Sequence, residues 1–254
     1  MIAISVQSGS NGNCIYVEAG DARLIFDAGI SGRQASIRLE ALGRRIESAD
    51  AVIISHDHCD HIGSAGVYQR KFGLPIYVTR KTLDAACACR SLGTLTDVRH
   101  FQAGAPLRIR DAVVHTIPTP HDGADGVAFV VQAEGKRLGV LTDLGHVFDG
   151  LGDVVASLDA VFLESNYDPD MLANGPYPYP LQQRIKGPRG HLSNHESADL
   201  LAAAGANLKW ACLAHLSEQN NHPTLAMRTH RRVLPSDFPL FVASRYESSN
   251  MPEV

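Results

Sequence analysis

Aromatic side chains make up only 6% of the 254 residues, with a single tryptophan. Cysteine is sparse too: Cys14, Cys59, Cys87, Cys89 and Cys212 are five residues at irregular spacings. An odd, scattered set does not make a disulfide framework, and Cys87 and Cys89, one residue apart, do not form a C-x-x-C redox or zinc-ribbon motif. Free thiols in a reducing compartment are the expectation. No apolar stretch approaches the roughly 20 residues needed to span a bilayer. The apolar start Met1–Val6 has no basic leader and runs at once into the polar segment Ser8–Asn13, so no secretory signal is read there. These absences predict a soluble, cytoplasmic protein with no membrane partner. An excess of positive charge is also missing, since 23 Lys and Arg against 27 Asp and Glu leave a net −4. That argues against a broadly basic nucleic-acid-coating surface but leaves room for a local basic groove.

What is present is the composition of a globular protein, 44% hydrophobic and 20% charged. A chain of this length buries a sizeable core without staples. No long linker, low-complexity tract or repeat divides it, so a single domain over residues 1–254 is expected. Short strands are predicted at Ile2–Val6, Cys14–Glu18 and Arg23–Phe26, where β-branched and aromatic residues alternate with Gly, Asn and Asp turns. Arg33–Leu42 has helical spacing and stops at Gly43. Ala51–Ile54 is a continuous apolar run, as in a strand buried on both faces. A helix at Ile62–Phe72, a strand at Ile76–Val78 and a helix from Lys81 follow. Strands then dominate at Leu107–Ile109, Val113–Ile117, Val127–Gln132 and Arg137–Leu141. In the second half, helices are predicted at Val147–Ser157, Ala198–Ala204 and Thr224–Val233, and strands at Ala160–Leu163, Trp210–Ala214 and Phe238–Val242. Asn166–Pro188 holds five prolines and is long for a connection; such loops are functional or carry short helices.

Chemistry concentrates directly after the apolar strand, in Ser55-His56-Asp57-His58-Cys59-Asp60-His61. Three imidazoles and a carboxylate within six residues are hard to explain as packing. Imidazole and carboxylate at the mouth of a strand suit zinc, manganese or iron. The alternative is a solvated loop that happens to be rich in histidine. Asp27 before Gly29, His121 after Ile117, Asp143 after Leu141 and His215 after Ala214 stand at or near predicted strand ends, a position that does not by itself single them out. His115 competes with His121 but lies inside a strand. A bare strand-end Asp is commonly a turn residue, so Asp27 and Asp143 gain weight only as members of a set.

His56-x-His58-x-Asp60-His61 resembles the H-x-H-x-D-H signature of the metallo-β-lactamase fold superfamily. The resemblance implies an α/β fold, the αββα four-layer sandwich, with two mixed β-sheets flanked by helices. It implies two divalent metal ions, zinc or manganese with iron possible. His56, His58 and His121 would serve one ion, Asp60, His61 and His215 the other, with Asp143 between them. Asp27 would support the metal loop rather than ligate. A His at position 58 with a bridging Asp143 favours hydrolysis over the diiron flavoprotein pattern, and Asp143 where β-lactamases carry Cys disfavours antibiotic cleavage. Longer strings, Ser8-Gly9-Ser10-Asn11-Gly12-Asn13-Cys14, Leu163-Glu164-Ser165-Asn166-Tyr167-Asp168, Arg189-Gly190-His191-Leu192-Ser193-Asn194 and Leu213-Ala214-His215-Leu216-Ser217-Glu218-Gln219-Asn220-Asn221, are similar to the YycJ-like (WalJ-like) exonuclease branch. His146 departs from that pattern, where an aromatic residue is more usual.

The branch resemblance implies a metal-dependent phosphodiesterase with DNA as its substrate, in which a hydroxide bridging the two ions attacks phosphorus. Asp60 would orient or deprotonate the water, and His191 would stabilise charge or act as general acid. Ser193-x-x-Glu196 is a capping box opening a helix, and its N-terminus at Ser193 and Asn194 is a candidate phosphate site. Arg184, Lys186 and Arg189 could track a nucleic-acid backbone. Competing readings are a small-molecule hydrolase cleaving a cyclic phosphodiester, thioester or lactone, an iron-dependent redox enzyme, and a non-enzymatic binding module. The oligomeric state is not encoded in any of these patterns.

Overall fold

The computed structural model describes residues 1–254 throughout. The first half runs β1 (Ile2–Gln7), β2 (Cys14–Ala19), β3 (Ala22–Phe26), α1 (Gly32–Glu40), β4 (Ala51–Ile53), α2 (Cys59–Ile62), α3 (Ala65–Phe72), β5 (Ile76–Thr79), α4 (Arg80–Cys89) and β6 (Val98–Phe101). The second half runs β7 (Leu107–Ile109), β8 (Ala112–Pro118), β9 (Val127–Ala133), β10 (Lys136–Leu141), α5 (Leu151–Ala156), β11 (Ala160–Glu164), α6 (Pro169–Asn174), α7 (Tyr179–Ile185), α8 (Asn194–Ala204), β12 (Trp210–Ala214), α9 (Pro223–Arg231), β13 (Leu240–Val242) and β14 (Ser249–Asn250).

Two seven-stranded sheets result, in the orders β14-β1-β2-β3-β4-β5-β6 and β13-β12-β11-β10-β9-β8-β7. Each is mixed. In the first, β1 to β3 are antiparallel and β3 to β6 parallel. In the second, β7 to β10 are antiparallel and β10 to β13 parallel. The two-residue periodicity of the strands sends alternate side chains to opposite faces. Leu24, Phe26 and Ile53 thus meet Phe129, Val131 and Phe162 in a core between the sheets. Ile25 and Val52 face the other way, onto Ala35 and Leu39 of α1 and Tyr68 of α3. Val130, Val161 and Leu213 do the same toward Leu151, Leu200 and Ala226 on α5, α8 and α9. Three apolar interfaces therefore separate four layers, α, β, β and α, as the resemblance implies. The inter-sheet core includes a Phe26–Phe129 contact with ring centroids 5.0 Å apart.

The expected strands agree with the sequence reading to within a residue or two, and the structure adds two short edge strands that were not expected, β6 and β14. The helix expected over Ile62–Phe72 is broken between α2 and α3, because the Ser64 amide bonds Ala28 O at 2.8 Å instead of its own helix. The helix expected from Val147 begins only at Leu151, after Gly150 takes a left-handed φ of 86°. The proline-rich stretch carries α6 and α7, each with proline in its first turn. No helix is long and apolar enough to cross a membrane.

Candidate metal centre

The donors gather at the carboxyl ends of β3, β4, β10, β11 and β12, the crevice where sheets of this kind place their ligands. Three of the flanking positions carry unusual backbone: Asp27, Asp143 and His215 have φ of 64°, 56° and 56°. The left-handed region is uncommon for non-glycine residues and for a bulky side chain marks a constraint. His58 caps α2, so Asp60 and His61 sit in a four-residue helix whose first turn faces the crevice. Gly29 lets this loop close: a Cβ there would stand 1.7 Å from Asp60 O. The loop is stitched by Asn13 N to Asp60 O at 2.8 Å and Ala28 N to His61 O at 2.6 Å.

One ring nitrogen each from His56, His58 and His121 lie within 4.8 Å of one another, and one donor each from Asp60, His61 and His215 do likewise. Asp143 stands between the two triads, with Oδ2 3.2 Å from His61 Nε2 and Oδ1 3.6 Å from His121 Nε2. The structure thus brings together all seven residues singled out as ligands. His56 Nε2 and Asp143 Oδ2 are buried without any hydrogen-bond partner. Orphaned polar atoms of that kind cost about 1–3 kcal/mol each, and a cation would satisfy both. The nitrogen and oxygen donor set, free of thiolate, fits divalent metal ions.

Charge points the same way. Burial, then the neighbouring imidazoles, hold His56 well below the usual histidine range. Burial lowers His58 and His121 as well, and neutral rings are what ligation requires. Around Asp60 burial works the other way, but His61 and His215 outweigh it and keep the carboxylate ionised. His215 is pushed up to about 10 because Asp143, Asp60 and Glu164 overcome its burial. A pocket with this many buried carboxylates collects positive charge, as protons or as metal ions.

Asp27 faces away from the triads. Its Oδ1 accepts from Ser55 N at 2.8 Å and its Oδ2 lies 2.7 Å from His61 Nδ1, which leaves His61 Nε2 aimed at the centre. His121 is oriented similarly by Gly190 O, 2.7 Å from its Nδ1.

The strand reading missed Glu164. This fully buried carboxylate at the end of β11 lies 2.7 Å from His191 Nδ1 and 3.3 Å from His215 Nδ1 through Oε1. Its Oε2 accepts from Leu144 N at 3.0 Å and Leu192 N at 3.2 Å. His191 and His215 oppose its burial and hold the carboxyl far below the usual range. A charged residue closing the apolar run Ala160-Val161-Phe162-Leu163 was the signal that could have found it. His191, gripped by Glu164, packs beside His121 and His215 with ring centroids 4.8 and 5.3 Å away. Its Nε2 bonds nothing in the protein, and the ring lines the cleft over the donors. That cleft, about 190 Å³, is bounded by Ser10, Tyr177 and Arg184. Arg184 Nε bonds Asp122 Oδ2 at 2.6 Å, and Asp122 Oδ1 lies 3.4 Å from His58 Nε2.

Ser193 and Asn194 are not brought to the cleft. Ser193 caps α8 in a complete capping box with Glu196. Asn194 is buried, with its amide bonded to Tyr167 O and its side chain locked to Ser165 and Asn221. The Ser193 and Asn194 amides are thus already in use. His146 bonds Pro188 O through Nδ1 at 2.7 Å and belongs to no donor cluster. His115 pairs with Gln132 within the sheet.

A four-layer αββα fold whose strand ends present an H-x-H-x-D-H loop and three further donors defines a class of metal-dependent hydrolases. Residues 22–215 match the family described as beta-lactamase superfamily domain, and the chain belongs to it. It is 34% identical over 225 residues, 87% of this chain and 84% of the other, to exodeoxyribonuclease WalJ of Streptococcus pneumoniae serotype 2. It is 33% identical over 230 residues, 89% of this chain and 86% of the other, to exodeoxyribonuclease YycJ of Bacillus anthracis. Among solved structures, the metallo-beta-lactamase fold protein YhfI from Bacillus subtilis superposes with a TM-score of 0.74 at 19% identity, covering 98% of this chain and 99% of that one.

Proposed function

We propose that the chain is a dinuclear metal-dependent phosphodiesterase acting on nucleic acid as a DNA exonuclease, with residues 1–254 as one catalytic domain. The observation that carries this reading is its 34% identity over 87% of the chain to a protein named as an exodeoxyribonuclease. His56, His58 and His121 would hold one ion, Asp60, His61 and His215 the second, and Asp143 would join the two. Zinc or manganese suits these donors, with iron the remaining candidate. Such ions, when bound, lower the pKa of water and neutralise charge on phosphoryl oxygens.

The chain's own groups divide the rest of the work. Asp60, held ionised by His61 and His215, orients the attacking water and takes its proton. His191 presents Nε2 to the cleft because Glu164 occupies Nδ1 at 2.7 Å. From there it stabilises a phosphoryl oxygen or protonates the leaving oxygen. Arg184 at the cleft rim, with Lys186 and Arg189 beyond it, offers cationic contacts to a phosphodiester backbone.

The test is turnover of an end-labelled linear duplex DNA by chelated protein given back manganese or zinc, beside a bis-phosphodiester reporter and a thioester. Metal-dependent release of mononucleotides, lost in His58→Ala, is expected. Intact DNA beside rapid cleavage of either small substrate would replace this reading with small-molecule hydrolysis on the same site.

A further inference from the structure

A second chamber lies behind the metal cleft, and the proposed chemistry makes no use of it. Its volume is about 440 Å³, within the usual range for small-ligand sites. Ser217 lines both spaces. Ser8 walls the chamber and accepts His215 N on its Oγ at 2.8 Å, so the chamber begins directly beside a metal-donor residue. Leu216, Pro223 and Val242 give it an apolar floor. Tyr246 stands at the rim with 62% of its surface exposed. The ring is nonetheless fixed: its hydroxyl donates to Glu218 Oε1 at 3.0 Å, and its carbonyl accepts from Arg38 Nη2 at 2.5 Å. Arg245, next in the wall, donates through Nη2 to Leu216 O at 2.5 Å. Its Nη1 is buried and ion-paired with Glu218 Oε2 at 3.3 Å.

An apolar floor and an anchored, exposed aromatic describe a site for a flat ring. Aromatic side chains stack bases of any sequence, because every base has a π-face. We infer that this chamber seats the terminal base of a nucleic-acid strand, stacked on Tyr246. The adjoining phosphodiester would then lie in the metal cleft on the other side of Ser217. The inference rests on the nuclease reading and assigns that activity a subsite for the strand end.

The test compares two oligonucleotides that differ only in their terminal nucleotide, one normal and one abasic. Wild-type protein should show a KM about 10-fold or more lower for the normal end, as one base stack predicts. Tyr246→Ala should collapse that ratio toward 1 by raising KM for the normal end alone, and Tyr246→Phe should preserve it. The exposed position of Tyr246 makes either variant compatible with folding, which a thermal melt checks. Equal KM values for the two ends in wild type, or an undiminished ratio in Tyr246→Ala, would overturn the subsite while leaving the nuclease intact. Wild-type protein that cleaves the bis-phosphodiester reporter but neither oligonucleotide would remove the nuclease reading, and the subsite with it.

Discussion

A Glu164→Gln substitution exchanges one buried oxygen for an amide nitrogen and changes almost no volume. Oε2 of Glu164 accepts from the Leu144 and Leu192 amides. Turning the new side chain so that its nitrogen faced those amides would orphan two buried donors, at about 1–3 kcal/mol each. The glutamine oxygen therefore stays with the amides, and its NH2 confronts Nδ1 of both His191 and His215. Each ring must then accept at Nδ1 and carry its proton on Nε2. For His215 that is the nitrogen 3.3 Å from Asp60 Oδ2, on the side where the donors converge. A protonated Nε2 cannot ligate, so metal affinity at the Asp60–His61–His215 triad should fall. Losing an outer partner of a ligating histidine costs roughly 10- to 100-fold in affinity, or about 1.4–2.7 kcal/mol. Competition against a chromophoric chelator, with metal content measured after dialysis, reads this directly. Metal affinity within threefold of wild type, at unchanged stoichiometry, would refute the argument that Glu164 sets the His215 tautomer.

Three further outcomes are expected. Burial pushes His230 down to about 4, while its ordinary value is 6.5. A depressed histidine lends its full stability above 6.5 and loses it as the pH falls toward 4. At about 1.4 kcal/mol per unit, that amounts to about 3 kcal/mol. Urea midpoints of chelated protein between pH 7 and 4 should therefore fall more steeply in wild type than in His230→Gln, and parallel slopes would contradict this. Asp60→Asn should lower turnover of the bis-phosphodiester reporter by at least about 100-fold with an unchanged circular dichroism spectrum. Gly29→Ala should destabilise the protein by about 1–3 kcal/mol and weaken metal retention, because its Cβ meets Asp60 O; an unshifted melting temperature would count against the close-approach argument.

The ligands were legible because their chemistry is dense and their placement is simple. Three histidines and an aspartate crowded after an apolar strand are hard to place as anything but metal donors, whereas His121, Asp143 and His215 were singled out by the family resemblance, each at or shortly after a strand end. The four layers were less visible, since a strand's alternation shows two faces but not what covers them. Glu164 escaped because a lone acidic residue ending a buried strand looks like the start of a turn; its four partners follow β10 and β12 or precede α8, distant in sequence. Ser193 shows the opposite error. The capping box was correctly read, but the Ser193 and Asn194 amides are taken by Glu196 Oε2 and Tyr167 O.

The backbone at the site links these particulars to the fold. Asp27 follows β3 and Asp143 follows β10, and both take the left-handed conformation. In each sheet this strand is the one at which antiparallel pairing gives way to parallel pairing. The two aspartates therefore occupy equivalent positions in halves that share topology without visible sequence repetition. One turns outward to hold His61, and the other stands between the two triads. His215 carries the same conformation after β12 with a bulkier side chain, at a cost of order 1–3 kcal/mol. Its amide is held by Ser8 Oγ and its carbonyl by Asn166 Nδ2, each at 2.8 Å. Those two side chains belong to the strings Ser8–Cys14 and Leu163–Asp168, so segments that carried the branch resemblance also brace a strained donor residue.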